Sequence, residues 1–480
     1  MKILFYYWMQ YNDVNSRGGG VQVYLRNVIN GLRKRDDIEI YTLSSGTAYD
    51  LSGKCRIEKL SSDGKIKRYQ IVNSPMLAPS KASFYNQDTY THDDNLKKIL
   101  MNFINELGGV DVIHFQSLEG LTLKCLKLKK ELPCTKFILS LHNYQVFCPQ
   151  VNLWKNDSVS CDDFHEGKDC LTCLGNYPQT DSFKKYYLFD FYLRKIGLAR
   201  YSRPLMNRMK SVYGKISNGE ATTNKQKTGA SFMNAEKFRD FRLKNIESIN
   251  LYIDKVLCVS NRVRNIAIHM GICPKIAVTN YIGSKFAETQ KTYSQYPYNK
   301  DDILKIAYMG YMRRDKGFYF LLDTMEKMPA EIAKKIAVVI AARYDDMDAV
   351  KRLEKLNDKF ADVALYNGYT HKEIPQITHG VHLGVVPVLW EDNLPQVAIE
   401  FKAMGIPVLA SNKGGASELS ASTYFSFQSG NYKDFIEHVR TIIDNPDIIN
   451  DYWDKQMLLK TMDQHIQELF SIYSRIAIIS

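Results

Sequence analysis

Apolar residues follow two rhythms along this chain. Short unbroken runs come first: KILFYYW from Lys2, IEIYTL from Ile38, VDVIHFQ from Val110, KFILSLH from Lys136 and VLCVS from Val256. Runs this short, rich in β-branched and aromatic residues, predict strands covered on both faces. Between the first two lies VQVYLRNVINGLRKR, whose apolar positions recur every three to four residues and predict a helix. IAVTNYIG from Ile276 is a further strand. The rhythm then fails across 284–303, a polar stretch read as a linker. A second series follows: LKIAYMGYM, the helix GFYFLLDTMEKM, then KIAVVIAA, VALYNGY and GVHLGVVPVL. Two successive strand–helix series predict two parallel-sheet domains, and the cleft between them is the default site. One or two helices close the chain from Asp451.

The stretch WEDNLPQVAIEFKAMGIPVLA, from Trp390, holds a strand–loop–helix–strand unit. Pro395 suits the first position of a helix, where a missing N–H costs nothing. Gly405 and Pro407 end that helix. At 100° per residue Val397, Phe401 and Met404 form a buried stripe, Glu400 lies close to it, and Lys402 points away. A half-buried carboxylate needs donors. Asp392 sits just past a strand's carboxyl end, where open α/β sheets bind ligands.

Three other junctions carry candidate chemistry. SRGGG (16–20) joins the first strand to its helix, and glycines there admit close approach of an anion to free N–H groups. It is not a GxGxxG fingerprint, and a surface loop is the plainer alternative. Arg313, Arg314 and Lys316 crowd the start of the helix GFYFLLDTMEKM, a placement that an anion between them would stabilise. A solvated turn is the alternative. His142 closes the strand KFILSLH at the ligand-facing end. NKGGASEL (412–419) adds a glycine-bearing turn after a strand.

RGGGVQVYL, LHNYQVFCP, VLCVSNRV, MGYMRRDKG, YNGYTHKEIPQI and WEDNLPQVAIEFKAMGIPVLASNKGGASEL occur in an order that resembles glycosyltransferase family 4. The resemblance spans nearly the whole chain. It implies the GT-B fold, α/β with two Rossmann-like parallel-sheet domains facing a central cleft. It divides the chain into an acceptor domain (1–283) with a cysteine-bearing loop and basic insertion over 148–250, the linker 284–303, a donor domain (304–460) and a closing helix (461–480). It also implies a retaining hexosyltransferase that uses a nucleoside-diphosphate sugar. Glu400 matches the glutamate on the ribose hydroxyls. Asp392 matches an acid beside the donor sugar, usually glutamate, and Asn393 and Leu394 follow it in the donor site. Lys316 matches the lysine on the diphosphate, and His142 a histidine near the sugar. Gly19 and Gly20 match the glycine loop facing the phosphates. Where relatives often carry an arginine after the strand's glycine, this chain has Tyr311, so Arg313 or Arg314 is expected to substitute. Such a site needs no metal for its chemistry, because cations and helix termini can hold the diphosphate. The resemblance further implies a glycan or polyprenyl-linked acceptor in capsule, O-antigen or exopolysaccharide synthesis. A sugar phosphorylase, or a non-catalytic carbohydrate- or membrane-binding protein of the same fold, is the alternative.

Composition adds three expectations. The 480 residues are ordinarily globular in balance, and no apolar run is long enough to span a membrane. The first residues lack the features of a signal peptide, so the protein is expected in the cytoplasm, peripheral at the inner face of the membrane. Four of the nine cysteines, Cys148, Cys161, Cys170 and Cys173, lie within 26 residues. Two readings stand for them, a structural zinc site or unligated thiols. The net charge of +12 is concentrated in 183–215, where nine Lys/Arg and one acid accompany eight Phe/Tyr. That pattern suits an anionic membrane surface, and no nucleic-acid module accompanies it. A solvated helix face with core aromatics is the alternative.

Overall fold

The computed structural model describes residues 1–15, 17–84, 86–173, 180–201 and 234–475. The amino-terminal strands are β1 (Lys2–Tyr6), β2 (Glu39–Ala48), β3 (Arg56–Lys59), β4 (Lys67–Val72), β5 (Val112–Phe115) and β6 (Lys136–Leu141). A small hairpin, β7 (Trp154–Lys155) and β8 (Val159–Ser160), lies in the cysteine-bearing loop, and β9 (Lys255–Cys258) and β10 (Ala277–Thr279) return to the main sheet. The sheet order is β10-β9-β6-β5-β1-β2-β4-β3. Every pairing is parallel except β3 with β4. The β3–β4 pair has mostly half-buried, charge-rich residues. Such an edge leaves no continuous apolar run in the sequence to announce it.

The second sheet contains β11 (Leu304–Gly310), β12 (Ile336–Ala342), β13 (Asp362–Asn367), β14 (Leu383–Val386), β15 (Val408–Ser411) and β16 (Ser426–Phe427). Its order is β13-β12-β11-β14-β15-β16, all parallel. Chain order reverses between β1 and β5 in the first sheet and between β11 and β14 in the second. These switch points open crevices at the carboxyl ends of their strands.

The helix Gln396–Ala403 packs close to β14, because a Cβ at Gly384 would lie 2.6 Å from the Phe401 ring. Pro395 stands just before its first turn. Lys402 departs from the expectation for this helix. It is fully buried, because the chain beyond the second sheet folds back over the face it occupies. Its Nζ donates to Gln456 Oε1 at 2.9 Å, between the rings of Tyr452 and Trp453. The linker is also tied to this helix. The Lys291 N–H donates to Ala403 O at 3.1 Å and that of Gln295 to Gly405 O at 2.9 Å.

The closing helix Met462–Arg475 docks on the first domain. Ile466, Leu469 and Tyr473 share a core with Ile3 and Phe5, and Gly31 leaves room for Ile466. Each such side chain, fully buried, contributes about 1.5–3 kcal/mol. Among the described residues, no helix is long and apolar enough to cross a membrane.

Candidate active site

The loops that follow β11 and β14 meet at the second switch point. Gly317 makes this approach possible: it has φ 75°, and a Cβ there would fall 1.7 Å from Pro387 O. The Leu389 N–H donates to Asp315 O at 3.0 Å. The two loops thereby bring Lys316 Nζ to 2.6 Å from Asp392 Oδ2, with the ammonium 5.1 Å from the Trp390 ring centroid. Asp392 is held from behind by the glycine turn after β15. Gly414 (φ 76°) leaves no room for a side chain against the Asp392 backbone, and the Gly415 N–H donates to Asp392 O at 2.9 Å. The NKGGASEL glycines therefore fix an acid in place.

Glu400 is buried about one turn into the helix Gln396–Ala403 and faces the same cleft. Burial pushes its carboxyl above the usual range, and His371, 3.3 Å away, pulls in the opposite direction. His371 comes from the loop after β13 and stacks on Phe286 of the linker. The sequence did not single out this histidine. It lies within YNGYTHKEIPQI, a few residues past a strand end, and no role is read for it there.

His142 stands at the end of β6 on the opposite wall. Its Nε2 lies 2.9 Å from Gln116 Oε1. A carbonyl oxygen can only accept, so Nε2 carries the proton. Burial lowers the imidazole to about 3, and the ring is neutral at physiological pH. The Tyr24 ring packs 4.8 Å from it, and Tyr24 Oη is 2.7 Å from His465 Nε2 of the closing helix. Gly20 lines the cleft beside Tyr24. Gly19 has φ 60°, and no atom lies within 4 Å of where its Cβ would stand, so it turns the chain at the mouth.

The cleft between the domains encloses about 570 Å³. Gly20, His142, Lys316, Asp392, Asn393, Leu394 and Glu400 all line it. Gly19, Arg313 and Arg314 are not among its lining residues. Arg313 instead makes a bidentate pair with its near neighbour Asp315, at 2.9 and 2.7 Å. Arg343, at the end of β12, lines the cleft with Lys316 and was not anticipated. Asn393 bridges the domains. Its Nδ2 donates to Leu141 O at 3.3 Å, and its own carbonyl accepts from Ser260 Oγ at 2.8 Å.

A second bridge was also unforeseen. Glu391 accepts from Arg262 Nε of the first domain at 2.8 Å, from Lys413 at 3.0 Å and from the Gly414 N–H at 3.0 Å. Glu418 reaches the other way and accepts from the N–H groups of Asn261 and Arg262, at the start of the helix Asn261–His269.

Cys148, Cys161, Cys170 and Cys173 stand as free thiols. Among the described residues, no three His, Cys, Asp or Glu side chains are grouped to hold a metal ion. Burial, together with the neighbouring thiols, pushes the Cys161 thiol up to about 11 and the Cys170 thiol up to about 12. Other contacts hold this loop. Asp169 pairs with Lys155 and His165, Arg242 lies 3.5 Å over the Phe164 ring, and Gly167 packs on the Ala235 carbonyl.

Residues 304–445 match the family described as Glycosyl transferases group 1. The match covers most of the carboxyl-terminal domain. Solved structures extend the likeness of the group 1 domain and its partner domain to the whole fold, which is GT-B. Sucrose-phosphate synthase from Thermosynechococcus elongatus is 13% identical, with TM-score 0.55 over 99% of each chain. The lipopolysaccharide outer core galactosyltransferase WaaB is 13% identical, with TM-score 0.56 over 98% of this chain and 100% of its own. HepE from Anabaena, solved in complex with UDP and glucose, is 14% identical, with TM-score 0.51 over 98% of this chain and 99% of its own. No curated protein matches the sequence.

Proposed function

We propose that this protein is a retaining, metal-independent glycosyltransferase. It moves a sugar from a nucleoside-diphosphate sugar to a glycan or polyprenyl-linked acceptor during synthesis of a cell-surface polysaccharide. The observation that carries this reading is the convergence of Lys316, Asp392 and Glu400 on one interdomain cleft. Glu400 accepts from the ribose hydroxyls. Lys316 donates to the diphosphate, whose charge grows as its bond to the sugar breaks, so that stabilisation acts most strongly in the transition state. Arg343 is the second cation within reach. Neutral His142 and Asp392 flank the sugar from opposite walls.

The C1–O bond to the diphosphate breaks, and the acceptor oxygen bonds to C1 on the same face. The acceptor's proton passes to the departing phosphate oxygen. HepE binds UDP and glucose in this fold, so uridine diphosphate sugars are the first donors to try.

The acceptor is carried at the inner face of the cell membrane, which the protein meets as a peripheral, cytoplasmic partner. Calorimetry and hydrolysis assays with a panel of nucleoside-diphosphate sugars, run in chelator, test the donor reading. Binding of a nucleoside diphosphate with slow release of free sugar is expected. Failure of every nucleotide to bind, or a strict divalent-metal requirement, overturns it.

A further inference from the structure

In the described part of the basic, aromatic stretch most of the aromatic side chains pack against the protein. Its helix, Thr180–Lys195, buries Tyr187 and Phe191 and half-buries Phe183 and Tyr186, which pack with Tyr49 and Leu77. Arg194 is committed as well: its guanidinium pairs with Asp13 and Asp190, which also hold Arg17. Residues 202–215 of the stretch lie outside the described residues.

The exposed apolar surface lies at the carboxyl end of that helix and in the turn after it. Ile196 is 67% exposed, and Tyr192, Leu198 and Tyr201 are also exposed. Two residues distant in sequence join them. Leu51 is 80% exposed, and its N–H faces the Tyr192 hydroxyl at 3.4 Å. Val14 is 70% exposed and precedes Asn15, whose side chain donates to Ala199 O at 3.0 Å. Large apolar side chains left in water together mark an interaction surface.

The charges around this patch select its partner. Lys184, Lys185, Lys195 and Arg200 are exposed and form no ion pair among the described residues. Asp13 and Asp190 are neutralised by two arginines and Asp50 by Arg56, while Asp181 is exposed in the first turn of the helix, at the end away from the patch. Lys184, Lys195 and Arg200 lie over aromatic rings, and cations without an acidic partner around an apolar tip match an anionic bilayer, with its charged headgroups above its hydrocarbon.

We infer that Val14, Leu51, Tyr192, Ile196, Leu198 and Tyr201 form a wedge that enters the apolar boundary of an anionic membrane. This rests on the reading above that the acceptor is membrane-borne, and it adds a specific insertion surface. The patch is joined to the active site. The Asp13–Arg17–Asp190–Arg194 network ties the helix to the loop that runs into Gly19 and Gly20. Seating the wedge therefore presents the glycine-loop mouth of the cleft to the headgroup layer.

The test is flotation with vesicles of equimolar phosphatidylglycerol and phosphatidylcholine, at low and high salt. Wild type is expected to bind at low salt and to keep a salt-resistant fraction. Ile196→Glu with Leu198→Glu is expected to lose that fraction and to weaken binding about tenfold or more, the scale of burying one or two large apolar side chains. Its affinity for a nucleoside diphosphate should not change, which serves as the check on folding. Ile196→Trp supplies a direct readout, because all four native tryptophans are buried. Its emission should shift to the blue with vesicles.

If wild type binds and the Glu variant binds equally well, attraction is electrostatic and the wedge is overturned. If wild type binds no vesicle at any salt, the membrane-borne acceptor reading fails with it. If instead the variant abolishes a dimer seen in light scattering, the patch joins two copies of this chain, and the inference is again overturned.

Discussion

Lys316 Nζ donates to Asp392 Oδ2 across 2.6 Å, locking together the loops that follow β11 and β14. The Asp392 side chain is almost fully buried and the lysine is partly so. In the absence of ligand each neutralises the other. A diphosphate entering beside Lys316 would compete for its protons and leave Asp392 free to face a sugar hydroxyl. The pair thus holds the lysine in position at no reorganisation cost when charge develops on the leaving group.

From this pair we expect Lys316→Ala to lower kcat by about a hundred- to a thousandfold, the usual scale for removing one preorganised donor. KM should change much less. The variant also leaves Asp392 buried without its partner, so its Tm should fall. Lys316→Arg is expected to recover the Tm but only part of kcat. Steady-state kinetics and thermal melts check both arms. A variant that changes KM alone would show that Lys316 binds the ground state.

Glu400 should matter in binding rather than in turnover. Removing its carboxylate by Glu400→Ala should weaken nucleoside-diphosphate binding by about 1.5–3 kcal/mol, the range for hydrogen bonds to a charged group. The carboxyl lies above its usual range because of burial, despite the opposing pull of His371. It therefore takes up a proton at a higher pH than an ordinary glutamate. Wild-type affinity should fall as pH drops toward that raised value, while Glu400→Gln should show a flatter dependence. Calorimetry over a pH series reads this difference, and parallel curves would remove Glu400 from the ribose site.

The sequence disclosed the two-domain fold because both sheets have cores of unbroken apolar runs, such as KIAVVIAA, which becomes β12. Strand ends pointed to Lys316, Asp392 and His142, and helical periodicity to Glu400, and all four line the cleft. It did not disclose β3 and β4, whose half-covered, charged residues lack any clear period. The burial of Lys402 could not be inferred from helical periodicity, because what covers it is the distant segment around Gln456. Arg313 shows the same limit. Its position beside Lys316 suggested a phosphate clamp, yet Asp315, two residues on, takes up its guanidinium. Arg343 reaches the cleft from a loop that carries no motif, and His371 lies within YNGYTHKEIPQI without a spacing that marks its role, so the order of the strands is what places both there.

The clasp between domains makes a separate expectation. Burial pushes the Glu391 carboxyl up, but Arg262, Lys413 and the Gly414 N–H outweigh it and hold the group below the usual range. A lowered carboxyl contributes stability above its unfolded pKa, and that stability is lost as pH falls through the folded value. Arg262→Ala should therefore cost stability at neutral pH and narrow the gap to wild type under acid conditions. Because Arg262 and Glu391 sit on opposite domains, the same variant should open the cleft. A larger radius of gyration in solution scattering without nucleotide is the expected readout. Unchanged scattering would make the pair a local contact only.

Lys402 supplies a prediction of opposite sign in pH. It lies on the Glu400 helix but faces away from the cleft. Its Nζ donates to Gln456 Oε1, and Gln456 Nε2 donates to Thr292 O of the linker at 3.1 Å. One lysine thus joins the Glu400 helix to both segments that pass between the domains. Burial lowers its amine from 10.5 to about 7. Above that value the folded protein has released the proton while the unfolded chain still holds it. Stability must then rise with pH between the two values, by at most about 1.4 kcal/mol per unit. Below about 7 both states are protonated, and the cost of burying the charge is fully present. Lys402→Met keeps most of the volume and removes the charge, at the expense of Gln456 Oε1, which loses its donor. We expect the difference in unfolding free energy, wild type minus Lys402→Met, to climb as pH rises from neutral toward 10. Nucleoside-diphosphate affinity at neutral pH should stay close to that of wild type, because the methionine leaves the Glu400 face untouched. Urea titrations of both proteins across that range measure the difference. If it stays constant with pH, the lysine keeps its proton in the folded state, and the rings of Tyr452 and Trp453 stabilise a buried ammonium instead.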